Sequence, residues 1–425
     1  MYRITAYRVA IFFLVAFSAC TPEEELSTGS PQEVELWEFG GVPGSRDWVR
    51  SAVENFNSSQ NDIHVTLEFR DWATQREGLI SVVVAGEGPD LIRVHHKYAV
   101  EFGEEGVLYA LENFQDFPSV RERILETAWE HVAHEGKHYG IPELVLPFVL
   151  GVNKEILKRF NLQVPKTWED MLAMGSELQK HGIHVFVMPG GLNQDTAYTF
   201  LPFLYAAGGR VLNKDLQRAA FNGPAGIAAL SFLVEMHSKG YMPEAVPAYK
   251  YDESAAHWST GSAAFTVAGP WFQNMVSENY NFDLANLGLA PHPIPAEKPG
   301  PYTSRPVIDV TIVSIMSFSP VPEAAWVVAK ALRVEDPVWL QPASAMGGFP
   351  SLKAAYEPGV ESDFIDYQVM AEVGRTGLGW PGHPMITEIQ NHLASAVNKA
   401  LTGTLSPQEA LNAAAIDVNE MLQDR

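Results

Sequence analysis

The chain has 425 residues, of which 46% are hydrophobic and 19% charged, a composition typical of folded globular domains. Because a single hydrophobic core stops growing at roughly 250–300 residues, the length predicts two or more domains. The formal net charge is −22, which argues against binding to nucleic acid, since phosphate contacts need clustered Lys and Arg.

The N-terminal segment carries the pattern of a secretion signal. A basic start precedes an apolar run at residues 9–17, and small residues then lead to Cys20, the only cysteine of the chain. The run is too short to cross a bilayer as a helix and is typical of a signal peptide. Phe17-Ser18-Ala19-Cys20 resembles a bacterial lipobox. We therefore predict a signal peptide over 1–19, lipidation of Cys20 and a flexible tether over 20–32, the alternative being an ordinary signal with a chance cysteine.

The next part of the chain alternates predicted strands and helices. Period-two patterns and turn residues predict strands at 34–39, 63–69 and 90–92, separated by helices at 46–56 and 72–85. This β-α-β-α-β order favours a parallel, doubly wound α/β sheet. Ligands of such sheets bind at the carboxyl ends of the strands, so the residues after Phe39 and Ile92 are candidates for a site.

A second α/β region is predicted to begin near Phe148, after a hairpin that turns at Glu135-Gly136. Its predicted elements are a helix that starts at Thr167, strands at 185–188 and 263–267, and helices at 196–207 and 223–239. A proline-dense stretch at 290–306 predicts a linker. The remaining elements are a strand at 307–317, a helix at 323–333 and a last helix that opens with a capping box at Ser406.

Short motifs in these elements resemble, in order and spacing, those of the extracellular solute-binding proteins of ABC importers, in particular the sugar receptors similar to maltose-binding and trehalose/maltose-binding proteins. They are G-E-G-P-D at 86–90, Y-G-I-P at 139–142, N-K at 153–154, P-K-T-W-E-D at 165–170, A-A-G-G at 206–209, F-N at 221–222, G-S-A-A-F at 261–265 and G-P-W at 269–271. The resemblance extends over nearly all of residues 34–422.

The resemblance implies a bilobal fold of the periplasmic-binding-protein type, in which two doubly wound α/β lobes close on a ligand between them. By matching positions, lobe one comprises 33–146 and 306–334, and lobe two comprises 147–305 and 335–425. The implied hinge crossings lie near residues 144–148, 299–306 and 333–337.

A sugar presents apolar C–H faces and a rim of hydroxyls, so its site needs aromatic rings for stacking and carboxylate, amide or imidazole groups at their edges. Strand ends and positions that match the family together predict the ligand-binding residues. They are Phe39, Gly40, Gly41, Trp72, His95, His96, Tyr98, Trp271, Asp309, Phe349 and Trp380. We expect no catalytic residue, cofactor or metal.

Several of these residues have a structural alternative. Trp271 matches the tryptophan of the G-P-W motif, which stacks on sugar in the family, but a tryptophan at a strand end is also an ordinary core residue. Asp309 stands in an apolar run, where a carboxylate needs either a structural partner or a ligand. A plain tight turn would also explain the loop at 39–41. Trp380 stands where many relatives have an arginine that reaches the sugar, which favours stacking over an ion-assisted contact.

The histidines do not predict a metal site. Adjacent side chains on a strand point to opposite faces, so one of His95 and His96 should face the cleft and the other should face away. His131, His134 and His138 flank the predicted hairpin turn, where solvation accounts for them.

The resemblance implies a substrate-binding lipoprotein that captures a sugar or short oligosaccharide and delivers it to an ABC permease and its ATPase. The chain itself carries neither a long apolar segment after the signal nor a phosphate-binding loop. We expect a lipid-anchored monomer in the periplasm or on the outer face of the cell membrane. A same-fold receptor for a polyamine or phosphoester remains an alternative. A secreted glycoside-acting enzyme is less favoured, because no G-x-S-x-G or H-E-x-x-H motif occurs.

Overall fold

The computed structural model describes residues 30–40, 43–340 and 344–423. The predicted signal peptide, Cys20, Gly41 and most of the tether lie outside the described residues. In the described part of the chain, no helix combines the length and the apolar character that a membrane crossing needs.

The described residues form a mixed α/β fold around one large sheet. Its strands, with one separate hairpin, are β1 (Gln32–Phe39), β2 (Ile63–Arg70), β3 (Leu91–His95), β4 (Ala133–His134), β5 (Lys137–His138), β6 (Ile141–Asn153), β7 (His184–Val187), β8 (Ala263–Ala268), β9 (Leu287–Ala290), β10 (Val307–Ile315) and β11 (Phe349–Pro350). The α-helices are α1 (Pro43–Ser59), α2 (Gln75–Ala85), α3 (Lys97–Glu104), α4 (Phe117–Arg123), α5 (Glu126–Trp129), α6 (Lys154–Arg159), α7 (Trp168–Lys180), α8 (Gln194–Ala206), α9 (Pro224–Ser238), α10 (Tyr251–His257), α11 (Phe272–Tyr280), α12 (Pro322–Lys330), α13 (Tyr367–Thr376), α14 (Ile386–Leu401) and α15 (Pro407–Gln423).

The first three strands pair in parallel, as the sequence predicts. β1 lies between β2 and β3, with Gln32 opposite Ile63 and Leu36 opposite Leu91. Val34, Leu36 and the other apolar residues of β1 are buried because helices cover the sheet. The carboxyl ends of β1 and β3 therefore lie at the same edge of the sheet.

The long strand β6 connects the two parts of the sheet, whose order is β2-β1-β3-β10-β6-β8-β7. Its first half pairs antiparallel with β10, with Val307 opposite Phe148, and its second half pairs with β8 and β9, with Val149 opposite Ala268. The predicted crossing at 144–148 is thus the middle of one continuous strand. The partition into two lobes that move against each other stays a prediction.

Local signals in the sequence agree with the local structure. The hairpin of β4 and β5 turns through Glu135 and Gly136, both with positive φ. Thr167 caps α7 by accepting a hydrogen bond from the Asp170 amide at 3.1 Å, while the Asp170 carboxylate accepts one from the Thr167 amide at 2.9 Å. The helix predicted over 72–85 is divided, because Trp72–Thr74 forms a separate 3₁₀ turn before α2.

Candidate functional site

A cavity of about 560 Å³ lies beside the carboxyl ends of β1 and β3, between them and the N-terminal turns of α8 and α11. This size is within the range of small-molecule sites. The positioning follows from the sheet topology, since parallel strands bring the loops after them to a common edge. β6 and β10 form its floor through Leu144, Phe148, Asp309 and Thr311.

Two indole rings from different parts of the sheet line the cavity. Trp72 follows β2 and is 39% exposed, and its ring packs directly on Gly40, whose φ is +87°. A side chain at Gly40 would collide with this ring at 2.6 Å, so the glycine fixes the place of the indole. Trp271 begins α11 after β8, and Phe148 meets it edge to face at 5.4 Å.

A buried cluster of His95, His96 and Asp309 lies at the cavity, and His95 and Asp309 line it. His95 Nε2 lies 2.6 Å from Asp309 Oδ2, and His96 Nδ1 lies 2.7 Å from Asp309 Oδ1. Of the two imidazoles, His95 lines the cavity and His96 does not, although strand alternation is not what separates them. β3 ends at His95 and the backbone of His96 is already helical (φ −54°, ψ −31°), so strand alternation stops there and both rings reach the same carboxylate.

Burial and neighbouring groups shift the pKa values of His95 and Asp309. Burial lowers the pKa of His95 to about 4, against the opposing effect of Asp309. Burial alone would raise the pKa of Asp309, but His95 and His96 hold it well below its ordinary value. At neutral pH the wall therefore presents an ionised carboxylate that accepts hydrogen bonds from a neutral imidazole.

Hydrogen bonds join α8 to the end of β3 and to the first residue of α3 across the cavity. The Lys97 ammonium donates to Gln194 Oε1 at 2.5 Å, and the Tyr198 hydroxyl lies 3.0 Å from His95 Nε2. Burial lowers the pKa of Lys97 to about 8, partly offset by nearby carboxylates such as Asp309. Further charge on the cavity wall comes from Arg46, Asp71, Arg93, Asp195 and Asp252.

A second ionic network lies directly behind the cavity. The Arg93 guanidinium bonds to the Glu143 carboxylate and donates to the Phe39 carbonyl oxygen at 2.8 Å. Arg333, in a π-helical turn after α12, pairs with Glu38 and lies 3.0 Å from Glu143. The network therefore links β1, through Glu38, and β3, through Arg93, to Glu143 in β6 and to Arg333 in the turn at 331–335. Arg93 also lines the cavity, whereas Glu38, Glu143 and Arg333 do not line it and hold its wall in place from behind.

The structure brings five of the predicted ligand-binding residues together on the cavity wall: Gly40, Trp72, His95, Trp271 and Asp309. Five others are buried behind it or away from it. Phe39 packs on Gly78, His96 lies behind His95, Tyr98 lies in α3 near Phe102, Phe349 stacks on Phe364 and Tyr367, and Trp380 lies 5.4 Å from Tyr198.

Sequence reasoning missed the residues that α8 and α10 contribute. Gln194, Asp195, Tyr198, Thr199, Tyr251 and Asp252 line the cavity. A usable signal was present in the stretch Asn193-Gln194-Asp195, which is polar and follows predicted strand β7 at its carboxyl end. Lys97 and Arg93 also line the cavity and were missed, because the histidines beside them in the sequence were chosen as the groups that would bind sugar hydroxyls.

Fold and cavity together define an α/β protein with an aromatic and polar cavity of small-molecule size at the ends of its parallel strands. The chain belongs to the bacterial extracellular solute-binding protein family, whose pattern matches residues 43–336. A relative, the maltotriose-binding protein of Pyrococcus abyssi, is 22% identical over 384 residues, which are 90% of this chain and 79% of that protein.

Solved structures share the fold. An ABC transporter solute-binding protein from Thermotoga lettingae, bound with alpha-D-tagatose, has a TM-score of 0.74 at 25% identity and covers 92% of this chain and 100% of its own. The GacH receptor of Streptomyces glaucescens, solved unliganded and with acarbose, has a TM-score of 0.79 and covers 93% of this chain and 100% of its own. At 18% identity, the second likeness shows the fold alone.

Proposed function

We propose that this chain is the substrate-binding lipoprotein of an ABC importer and that it delivers a sugar or short oligosaccharide to a permease. The observation that carries the proposal is the pairing of two indole faces, Trp72 and Trp271, with the carboxylate of Asp309 and the amide of Gln194 in one cavity. Indoles stack on the C–H faces of a sugar, and the polar groups bind its hydroxyls. The maltotriose and tagatose named for the relatives support this ligand class.

In this proposal the five predicted residues on the cavity wall contact the ligand directly. Trp72 and Trp271 stack on it, Gly40 lets it approach the backbone, and His95 and Asp309 bind its hydroxyls. The five buried residues act through these, since they support the wall from behind. The protein has no catalytic step, and prolonged incubation with maltotriose should leave the sugar unchanged.

The proposed architecture has two lobes with the boundaries given by the resemblance, and the ligand lies between them. In support, the hydrogen bond from Lys97 to Gln194 joins the part of the chain assigned to lobe one with that assigned to lobe two. The proposed mature protein is a monomer that begins at an acylated Cys20, in the periplasm or on the outer face of the cell membrane. It presents the closed, loaded form to the permease.

A thermal-shift screen of the purified chain tests the ligand class. The panel comprises maltose, maltotriose, D-tagatose, a galacto-oligosaccharide, spermidine and glycerophosphocholine. A bound ligand at a hundredfold excess over its Kd adds about 2.7 kcal/mol to the free energy of unfolding. We expect a rise in Tm with one class of sugar and an affinity that barely changes with added salt.

The other outcomes of the screen contradict the proposal in different ways. A shift with spermidine or glycerophosphocholine alone, weakened by salt, keeps the receptor but overturns the sugar assignment. No shift with any member of the panel, in a chain that unfolds cooperatively, contradicts capture of these sugars.

A further inference from the structure

Two oxygen atoms approach one imidazole nitrogen on the wall of the cavity. His95 Nε2 lies 2.6 Å from Asp309 Oδ2 and 3.0 Å from the Tyr198 hydroxyl oxygen. A neutral imidazole nitrogen either carries a hydrogen and donates it, or is bare and accepts one. The tautomer of His95 therefore decides which hydrogen-bonding groups remain for a ligand.

The surroundings of His95 permit one tautomer. The backbone N–H of Lys97 donates to His95 Nδ1 at 3.3 Å, which requires that nitrogen to be bare. An ionised Asp309 accepts only, so the hydrogen must stand on Nε2. Burial, which disfavours the charged ring, keeps His95 neutral at neutral pH. Both neighbours thus place the single ring hydrogen on the side of Asp309.

With its hydrogen on Nε2, His95 cannot accept one from Tyr198. The Tyr198 oxygen accepts instead from Gln390 Nε2 at 3.1 Å. With the Gln390 amide in this orientation, which leaves Gln390 Oε1 without a partner among the described residues, the contacts of Tyr198 supply no other acceptor for its hydroxyl hydrogen. Tyr198 lines the cavity, so this hydrogen is available to a ligand.

The Asp309 carboxylate, in contrast, can only accept hydrogen bonds. Its Oδ1 accepts from His96 Nδ1 at 2.7 Å and from the Val310 amide at 2.9 Å. Among the described residues its Oδ2 accepts from His95 alone, which leaves one lone pair of this oxygen for a ligand. Because Asp309 Oδ2 and the Tyr198 hydroxyl both lie within 3.0 Å of one nitrogen, a single sugar ring can contact both.

We propose that Tyr198 and Asp309 form a specificity-determining pair, with His95 as the positioning residue that sets which of them donates. Tyr198 donates to a ligand oxygen, and Asp309 Oδ2 accepts from a ligand hydroxyl. This inference rests on the proposed function and deepens it. The pair selects ligands with two neighbouring oxygens, of which at least one is an unmodified hydroxyl. A ligand without that hydroxyl leaves a buried charged acceptor unpaired, a strong basis for rejection.

The same three side chains, His95, His96 and Asp309, lie close enough to surround a metal ion. A metal needs bare nitrogens directed at it, with the other ring nitrogen donating outward. Here the outward nitrogen of His95 accepts from an amide, the opposite arrangement. His96 Nδ1 lies between two acceptors, Asp309 Oδ1 and the Val310 carbonyl oxygen at 3.2 Å, and so carries a hydrogen. The hydrogens occupy the positions that an ion would need.

The tautomer can be measured without any ligand. Long-range ¹H–¹⁵N spectra of the histidine-labelled full chain, with the signals of His95 assigned by their loss in His95→Gln, report which ring nitrogen carries the hydrogen. We expect hydrogen on Nε2 and a bare Nδ1 from pH 7.5 to 5.5. A hydrogen on Nδ1, or added Zn²⁺ bound through the ring, overturns the inference.

Calorimetry with maltotriose and D-tagatose tests the pair itself. Tyr198→Phe keeps the ring, which lies nearly parallel to Phe148, and removes only the hydroxyl. We expect the affinity to fall about tenfold, the equivalent of one hydrogen bond of roughly 1.4 kcal/mol. Tyr205→Phe is the matched control on α8, because the Tyr205 hydroxyl donates to the Gly379 carbonyl oxygen at 2.8 Å, outside the cavity. The Tyr205→Phe variant should bind both sugars with the affinity of the wild type.

His95 has its own test as a positioning residue. His95→Gln retains an N–H donor near the place of Nε2 and should keep most of the affinity, whereas His95→Leu should lose about as much as Tyr198→Phe. Equal affinities of wild type and Tyr198→Phe, or equal losses in Tyr198→Phe and Tyr205→Phe, overturn the inference. If the wild type binds neither sugar, these ligands of the proposed function fail, and the tautomer measurement decides the inference by itself.

Discussion

At the scale of single residues, Trp271 separates ligand binding from packing. Its ring is half-buried on the cavity wall, so Trp271→Ala should weaken sugar binding by about 1–3 kcal/mol with little change in Tm. Trp48→Ala is the control, because Trp48 is also half-buried but packs on Trp339 at 4.5 Å, away from this cavity. Calorimetry and thermal unfolding of both variants check the prediction. A large fall in Tm with unchanged affinity in Trp271→Ala would identify it as a core residue.

The residues that sequence reasoning placed well are those tied to a strand end by a local pattern. Gly40 and Trp72 follow strands that alternation makes visible, and their contact needs only the parallel order of those strands. Tyr198 could not be chosen in this way. It lies within an almost entirely apolar helix, A-Y-T-F-L-P-F-L-Y, where the sequence does not distinguish a cavity residue from a core residue. Only the packing of α8 against β3 brings its hydroxyl to His95.

At the scale of elements, the turn after α12 depends on a buried charge. Arg333 is 1% exposed and pairs with Glu38 and Glu143, and burial lowers its pKa to about 9. Arg333→Met should lower the free energy of unfolding by about 3–5 kcal/mol, because it leaves two buried carboxylates, Glu38 and Glu143, facing the single cation of Arg93. Lys330→Met breaks a surface pair with Asp116 in the same segment and should cost no more than about 1 kcal/mol. Similar losses in urea unfolding of the two variants would refute the assignment.

Strand β6 shows where element prediction from the sequence stops. Its 13 residues include Pro142 and Pro147, and proline argues against a central strand because it cannot donate to the ladder. The chain nevertheless stays extended, and a bulge at Glu143 takes up the irregular pairing, because the neighbours Thr311 and Ile312 of β10 pair with Leu144 and Pro142. The alternating strands β1 and β2 could be predicted because their pattern is local, whereas β6 is held by partners more than a hundred residues away.

At the scale of the whole molecule, the proposed anchor decides where the receptor works. Cys20→Ser removes the only thiol that could carry lipid, so the variant should leave the membrane fraction and appear as a released protein. Immunoblots of fractionated cells measure this, with Ser18→Thr as a control that retains the cysteine and a small side chain. Retention of Cys20→Ser in the membrane fraction would contradict the lipoprotein assignment.

The stability of the whole chain should depend steeply on pH, because it buries neutral histidines. Burial lowers the pKa of His95 to about 4 and that of His131 to about 3, whereas the unfolded value is about 6.5. Between pH 6.5 and 4 the unfolded chain therefore binds more protons, so the free energy of unfolding falls as the pH falls. Each of the two histidines contributes up to about 1.4 kcal/mol per pH unit.

His131 can be removed to test this dependence. Its Nδ1 donates to the Trp380 carbonyl oxygen at 2.9 Å and its Nε2 accepts from the Gly379 amide at 3.2 Å, so the folded site has no place for a second ring proton. In urea unfolding from pH 7.5 to 4.5, His131→Gln should be less stable at pH 7.5 but lose stability less steeply than the wild type. His64→Gln, at an exposed position on β2, is the control for the loss of a surface histidine. The slope of the free energy of unfolding against pH depends only on the difference in bound protons between the folded and unfolded chains. An unchanged slope in His131→Gln would therefore mean that His131 titrates alike in the folded and unfolded chains.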